Sequence, residues 1–294
     1  MSECDKSSEQ EAIINVIGIG KTGLRAVGKM AGNIHNVNCL GVGILSHNNS
    51  VENEIPIEIP IVMLPEHDRD FDPLLSAIEP SDLIFLIAKL GEGYDDCLAD
   101  ICTAIRKHDI LIVPVILEPE DVTTRFNAPF GLRATVDCMI IVDESSFVSH
   151  GPCFPTIIDE NTLPDHLLRL AIEKITDIIA HQSLMSVDFL DFKRIVKGNG
   201  LTRLGTGYAS GSDKGVSATD TALSSIKRQG VSLKEIPRML CHISGSSEMT
   251  MDDYNGVNRQ IHKAVTDETL VIIGVTENKE LKDNIMVTIL AAGV

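Results

Sequence analysis

Three short stretches of this 294-residue chain have residue types and spacings that could do chemistry. The first is Gly18-Ile-Gly20-Lys21-Thr22-Gly23, preceded by an apolar run at 13–17 and followed by Ala26, Val27 and Met30 at helical spacing. Strand, glycine-rich turn and helix in that order suit a phosphate, because glycines let backbone N–H groups approach an anion at a helix N-terminus. The second is Lys89-Leu-Gly91-Glu92-Gly93-Tyr-Asp95-Asp96-Cys97, directly after the apolar run 82–88. Its acids Glu92, Asp95 and Asp96 place up to three negative charges there, and Asp95 with Asp96 suits a cap on the helix that follows. The third is Ser186-Val-Asp188-Phe-Leu-Asp191, two acids three apart among apolar residues. On residue type alone this pair caps the helix that follows it.

Two familiar phosphate motifs fail at the first stretch. A nicotinamide-type site wants an acid about 20 residues on, at the end of the second strand. Here that strand, 37–45, ends in Ser46-His47-Asn48-Asn49. A P-loop needs a glycine where Asn15 stands, although Gly20-Lys21-Thr22 matches its last three positions. For Lys21 and Arg25 two roles stay open, cationic support for an anion or ordinary surface.

The elements that must position these residues centre on 164–196. Pro164 suits a first helical turn. Leu168, Ala171, Ile172, Ile175, Ile178 and Ile179 recur at three- and four-residue steps, with Arg169, Glu173, Lys174 and Asp177 between them. Leu167 and Leu170 widen the stripe, which predicts a helix lying between two packed bodies. A polar break at 181–183, the acid pair and a second helix through Phe189, Phe192, Ile195 and Val196 follow. The apolar runs at 37–45, 82–88, 110–117 and 137–142 predict a parallel sheet covered on both faces. Residues 54–64 alternate and predict an edge strand or hairpin arm, limited by Pro56 and Pro60. Helices are expected at 97–107, 216–226 and 251–265. With strands near 202–209, 238–245, 270–274 and 285–292 they predict a second body, a four-stranded sheet with helices on one face.

Composition removes several classes of function. A net charge of −17 argues against nucleic acid, whose phosphates a binder must neutralise with Lys and Arg, and against anionic membrane surfaces. A hydrophobic content of 44% is ample for real cores. The polar, acidic first 11 residues are expected to be a disordered tail and are neither a signal nor a transit peptide. No apolar run approaches the ~20 residues that span a bilayer. Seven scattered cysteines lack zinc spacing and suit buried thiols in a cytoplasmic protein, so no metal is expected.

Over residues 13–294 the chain resembles the FtsZ/tubulin superfamily. The turn at 18–23 is similar to that family's first phosphate loop, with Lys21, Thr22 and Leu24 where the family has glycines and Arg25 in place of an amide. Thr202-Arg-Leu-Gly205-Thr-Gly207-Tyr-Ala-Ser-Gly211, the strand MLCHISG and the ending MVTILAAGV match the family's second domain, with Lys214 near its arginine. At 89–97 the resemblance breaks. The family's GGGTGTG signature is reduced to Gly91 and Gly93, and two unit charges ~4 Å apart repel by about 4 kcal/mol at an effective dielectric near 20.

The resemblance implies an α/β fold: a Rossmann-like parallel-sheet GTPase-type domain, a central helix and an α+β C-terminal activating domain. The expected divisions are a disordered tail at 1–12, a nucleotide-binding-like domain at 13–163, the central helix and synergy loop at 164–187, and the C-terminal domain at 188–294. It makes Gly18, Gly20, Lys21, Thr22, Gly23, Arg25, Gly91, Gly93 and Asp165 the candidate GTP/GDP-binding residues. Asp165 stands at the guanine-reading position, where helix capping explains a carboxylate equally well, and Arg125 near a further nucleotide contact. Asp188 and Asp191 become the candidate catalytic acids, entering the pocket of the next subunit. The partner is then the protein itself or an FtsZ-type protein, associated head to tail in the cytoplasm with no membrane tether of its own. The reading these residues favour is an FtsZ-like filament partner or regulator of GTPase ancestry with an impaired GTP site. The alternatives are a self-assembling GTP-hydrolysing homologue in cell division and a structural protein with neither activity.

Overall fold

Among the described residues, runs of Ile, Leu and Val with no charge among them form the middle of a ten-stranded sheet, because only strands covered on both faces can be apolar throughout. The computed structural model describes residues 12–32, 37–44, 59–65, 70–118, 132, 135–143, 146–147, 163–180, 185–198 and 200–294. The elements in chain order are β1 (Ile14–Ile19), α1 (Gly20–Met30), β2 (Val37–Ile44), β3 (Ile61–Leu64), α2 (Asp72–Ile78), β4 (Leu83–Lys89), α3 (Asp95–Ile105), β5 (Leu111–Leu117), β6 (Cys138–Val142), α4 (Leu163–Ala180), α5 (Phe189–Val196), β7 (Gly200–Ala209), α6 (Lys214–Arg228), β8 (Arg238–Gly245), α7 (Met251–Ala264), β9 (Leu270–Glu277) and β10 (Ile285–Ala292).

The strand order is β3-β2-β1-β4-β5-β6-β7-β10-β8-β9. From β3 to β7 every neighbour is parallel; β10 runs antiparallel to both β7 and β8, and β9 is parallel to β8. Alternate residues of each strand serve opposite faces. Val16, Phe85 and Ile87 pack with α1 and α4, while Ile17, Ile84 and Leu86 pack with α2 and α3.

The breadth of the apolar stripe on α4 has its reason in this arrangement. Leu168, Ile172 and Ile175 share one core with Val113 and Ile140 of the parallel half and with Leu204, Leu240 and Leu290 of the antiparallel half. Phe192 of α5 is fully buried in the same core, edge-on to Phe85 at 6.2 Å between centroids. On the opposite face of the second half, α6 and α7 cover β8 and β10 through Ala218, Ala222, Ile226, Val257 and Ile261.

Local details differ from expectation. The helix α2 was not visible as periodicity, since seven residues give barely two turns and bury only Leu74 and Ile78. The helix expected at 97–107 starts at Asp95, so Asp95 and Asp96 lie in its first turn behind Tyr94. Residues 61–64 are an edge strand parallel to β2, with Gly41 opposite Ile61. Arg125, the polar break at 181–183, residues 1–11 of the expected tail and residues 54–58 lie outside the described residues.

Candidate functional site

The chain leaves β1 toward β2 on one side and places β4 on the other, so the carboxyl ends of β1 and β4 flank a topological switch point, where α/β sheets open a crevice. Three glycines shape the floor there. A Cβ on Gly18 would overlap the Gly23 carbonyl, and one on Gly23 would overlap the Ile87 carbonyl of β4. Gly20 begins α1 at φ +74°, a conformation costly for a residue with a side chain. The first turn of α1 thus sits close to the sheet with its N–H groups directed outward.

An anion already occupies that position. Glu92, seventy residues away, accepts a hydrogen bond from the Thr22 backbone N–H at 3.1 Å and another from the Thr22 hydroxyl. A Cβ on Gly20 would lie 2.8 Å from its Oε2 and 3.0 Å from Tyr94 Cδ2, so only glycine leaves room there for both side chains. The residue before α1, Ile19, has no side-chain cap to offer, so the Glu92 carboxylate satisfies donors and positive dipole that a bound phosphate would otherwise take. Glu92 is carried on a turn bracketed by Gly91 (φ +83°) and Gly93 (φ +85°). Asp95 folds back to accept from the Gly91 N–H at 3.4 Å. Burial raises the Asp95 carboxyl above its ordinary value, the Gly91 N–H partly offsets that, and Asp96 raises it further. Tyr94 is raised by burial and then by the charges of Glu92 and Cys97.

The second group joins α1 to α4. Arg25 donates from Nη2 to Asp165 Oδ1 at 2.9 Å, and its Nε lies 2.9 Å from Oδ2. Lys29 reaches Oδ2 at 3.3 Å. The Asp165 side chain is completely buried, so both its oxygens serve two cations of α1. Arg25 is therefore not held toward the first turn of α1 but at the head of α4, while Lys21 is exposed at the start of α1.

The acid pair occupies the other end of α4, whose 18 residues rise about 27 Å. Met185 pairs with Val275 through two backbone bonds of 3.2 and 3.0 Å, and Val187 is buried against Gly274. Asp188 is the N-cap of α5, its Oδ1 accepting from the Asp191 N–H at 2.7 Å. Leu190 is 69% exposed between the two acids. Structure thus gathers Gly18, Gly20, Thr22, Gly23, Gly91 and Gly93 around Glu92, ties Arg25 to Asp165 at the head of α4, and holds Asp188 with Asp191 at the start of α5.

Two features were missed from sequence. Nothing in the spacing identified Glu92 as the cap of α1; an acid between two glycines after a buried strand was the only signal. Lys214 is a buried clamp, with Nζ 2.6 Å from Asp283 and 3.8 Å from Asp253, whose carboxylate also closes the capping box of α7 with Thr250. Among the described residues no group of His, Cys, Asp and Glu could hold a metal, and no helix is long and apolar enough to cross a membrane. The described cysteines are not joined in disulfides; burial pushes Cys102, Cys138 and Cys241 up to about 12 and Cys39 to about 11.

The model of the FtsZ family C-terminal domain matches residues 200–294. The cell division protein FtsZ of Buchnera aphidicola subsp. Baizongia pistaciae is 27% identical over 96% of this chain and 79% of its own length. That of Pseudomonas aeruginosa is 26% identical over 100% and 80%. Among solved structures, an empty FtsZ dimer from M. jannaschii superposes with a TM-score of 0.82 at 18% identity, covering 100% of this chain and 93% of that one. GDP-form protofilaments of TubZ from Bacillus thuringiensis serovar israelensis match at 0.66 and 14%, over 96% and 89%.

Proposed function

The chain belongs to the FtsZ/tubulin superfamily, and from that premise we propose that it is a cytoplasmic cytoskeletal protein acting as a partner or regulator of FtsZ-type filaments with its own nucleotide site silenced. The observation that carries this reading is the Glu92 carboxylate on Thr22. A triphosphate would have to displace that carboxylate and then lie beside Asp95 and Asp96. Each added like charge at ~4 Å costs about 4 kcal/mol at an effective dielectric near 20. The base side is committed as well, since Asp165 spends its lone pairs on Arg25 and Lys29. By contrast, Asp188 and Leu190 are exposed with Asp191 half-buried beside them, a face able to meet another subunit. Relatives solved as a dimer and as protofilaments support association of this kind.

Calorimetry of the intact protein with GTP, with and without Mg²⁺, tests the reading. The expected result is no binding in the micromolar range and no hydrolysis; micromolar affinity would sink it. The second reading, a self-assembling protein that binds and hydrolyses GTP, is favoured by the retained Gly18, Gly20 and Gly23 floor at a switch point. It predicts GTP-dependent polymer from the pure protein.

A further inference from the structure

We propose that the silencing is reversible: Glu92 is an internal competitor seated on an intact anion cradle, and removing its charge opens that cradle to polyphosphate. The inference rests on the reading above and names how that site is regulated. Although the 89–97 turn keeps only Gly91 and Gly93, the first turn of α1 retains both hydrogen-bond donors and a glycine floor. The Thr22 N–H and hydroxyl are in place and face a carboxylate contributed by a turn far away in sequence. The floor is independently compelled, since side chains on Gly18 or Gly23 would overlap backbone carbonyls and Gly20 holds φ +74°.

The competitor is also carried so that it can leave. Leu90, buried and tied by its N–H to the Leu117 carbonyl at 3.2 Å, anchors the turn on one side, and α3 anchors it on the other. Between these anchors Gly91 and Gly93 flank Glu92, and a Cβ on Gly91 would meet nothing within 4 Å. Gly91 and Gly93 are exposed on either side of the half-buried Glu92, so an outward swing of that side chain need move neither anchor. A tethered carboxylate competes at a high effective concentration, which is how one side chain holds off dissolved anions. The ligand class is a phosphate chain; Asp95 and Asp96 remain on the flank and limit what is gained.

The test compares wild type with Glu92→Ala and Glu92→Gln as full chains, titrated with pyrophosphate by calorimetry at low salt without Mg²⁺. Removing the competing charge is expected to tighten pyrophosphate binding about tenfold or more, in keeping with a charged hydrogen bond given up by the protein. Glu268→Gln, an exposed site distant in sequence with the same change of net charge, is expected to leave binding at the wild-type level. A folded Glu92→Ala protein that binds no better than wild type overturns the inference while the proposed function stands. Wild type binding GTP in the micromolar range overturns the proposed function directly. Should Glu92→Ala melt too low to titrate, Glu92→Gln decides, since it keeps the side chain's shape and removes only its charge.

Discussion

Arg25 and Asp165, 140 residues apart, meet in a two-point ion pair with Nη2–Oδ1 and Nε–Oδ2 both at 2.9 Å. The pair fastens the first helix to the head of the central helix. Asp165 is fully buried, so its carboxylate is reached by these cations and not by solvent.

Removing Arg25 is therefore expected to destabilise the fold. Breaking a fully buried pair costs about 3–5 kcal/mol; with Lys29 still in reach and Arg25 itself partly exposed, Arg25→Ala should cost about 2–3 kcal/mol. Urea unfolding measures this. A change below the scatter of surface substitutions would mean the carboxylate is satisfied without the guanidinium.

Asp188 and Asp191 separate capping from recognition. Loss of the Asp188 cap should cost about 1 kcal/mol. The double change to Ala should leave the circular dichroism spectrum unchanged and abolish any effect on FtsZ-type polymers in co-sedimentation. Wild-type behaviour of the double variant would assign the acids to capping alone.

Gly207 faces the Ala218 carbonyl of α6 so closely that a Cβ would overlap it. Gly207→Ala should cost about 3 kcal/mol by forcing α6 off β7. Gly211, with φ +87° and open space around it, should be strained by Ala through its backbone conformation only, at about 1 kcal/mol. Thermal unfolding of the two variants should rank them in that order.

Asp95 gives a pH dependence with a definite sign. Its folded-state value is raised, chiefly by burial, so its favourable contribution is complete below the ordinary 3.8 and lost as pH rises through the folded value. At neutral pH the ionised carboxylate is a liability. Asp95→Asn should raise the melting temperature at pH 7, and the advantage should disappear on acidification below about 3.8. An advantage unchanged across that range would remove burial as its cause.

Native thiol chemistry follows from burial. With Cys102, Cys138 and Cys241 pushed up to about 12, almost no thiolate exists at pH 8. Mass spectrometry after native alkylation should find these three unmodified, and modified once the chain is unfolded in urea.

The order and type of most elements were legible because they are local properties of the chain. A strand covered on both faces must be apolar throughout, as in residues 83–88, and a helix between two bodies must carry a broad stripe, as α4 does from Leu167 to Ile179. Helix α2 escaped because two turns hold too few apolar positions to set a period. The glycines at 18, 20 and 23 were legible as a floor because a missing side chain is visible in any sequence.

What fills the site was not legible. Thr22 and Glu92 meet because β1 and β4 are adjacent and parallel, which aligns their carboxyl ends; Arg25 and Asp165 meet because α1 and α4 lie on the same face of that sheet. The sequence marked Glu92, Asp95 and Asp96 as charges unfavourable to phosphate, and Asp95 and Asp96 as caps of the next helix, but gave Glu92 no partner. Only the tertiary structure made Glu92 the anion on the helix and turned Asp95 back on its own loop. The physical reason is that hydrophobic periodicity fixes which face of an element is buried, whereas a polar pair across elements depends on strand order and register, which periodicity does not encode.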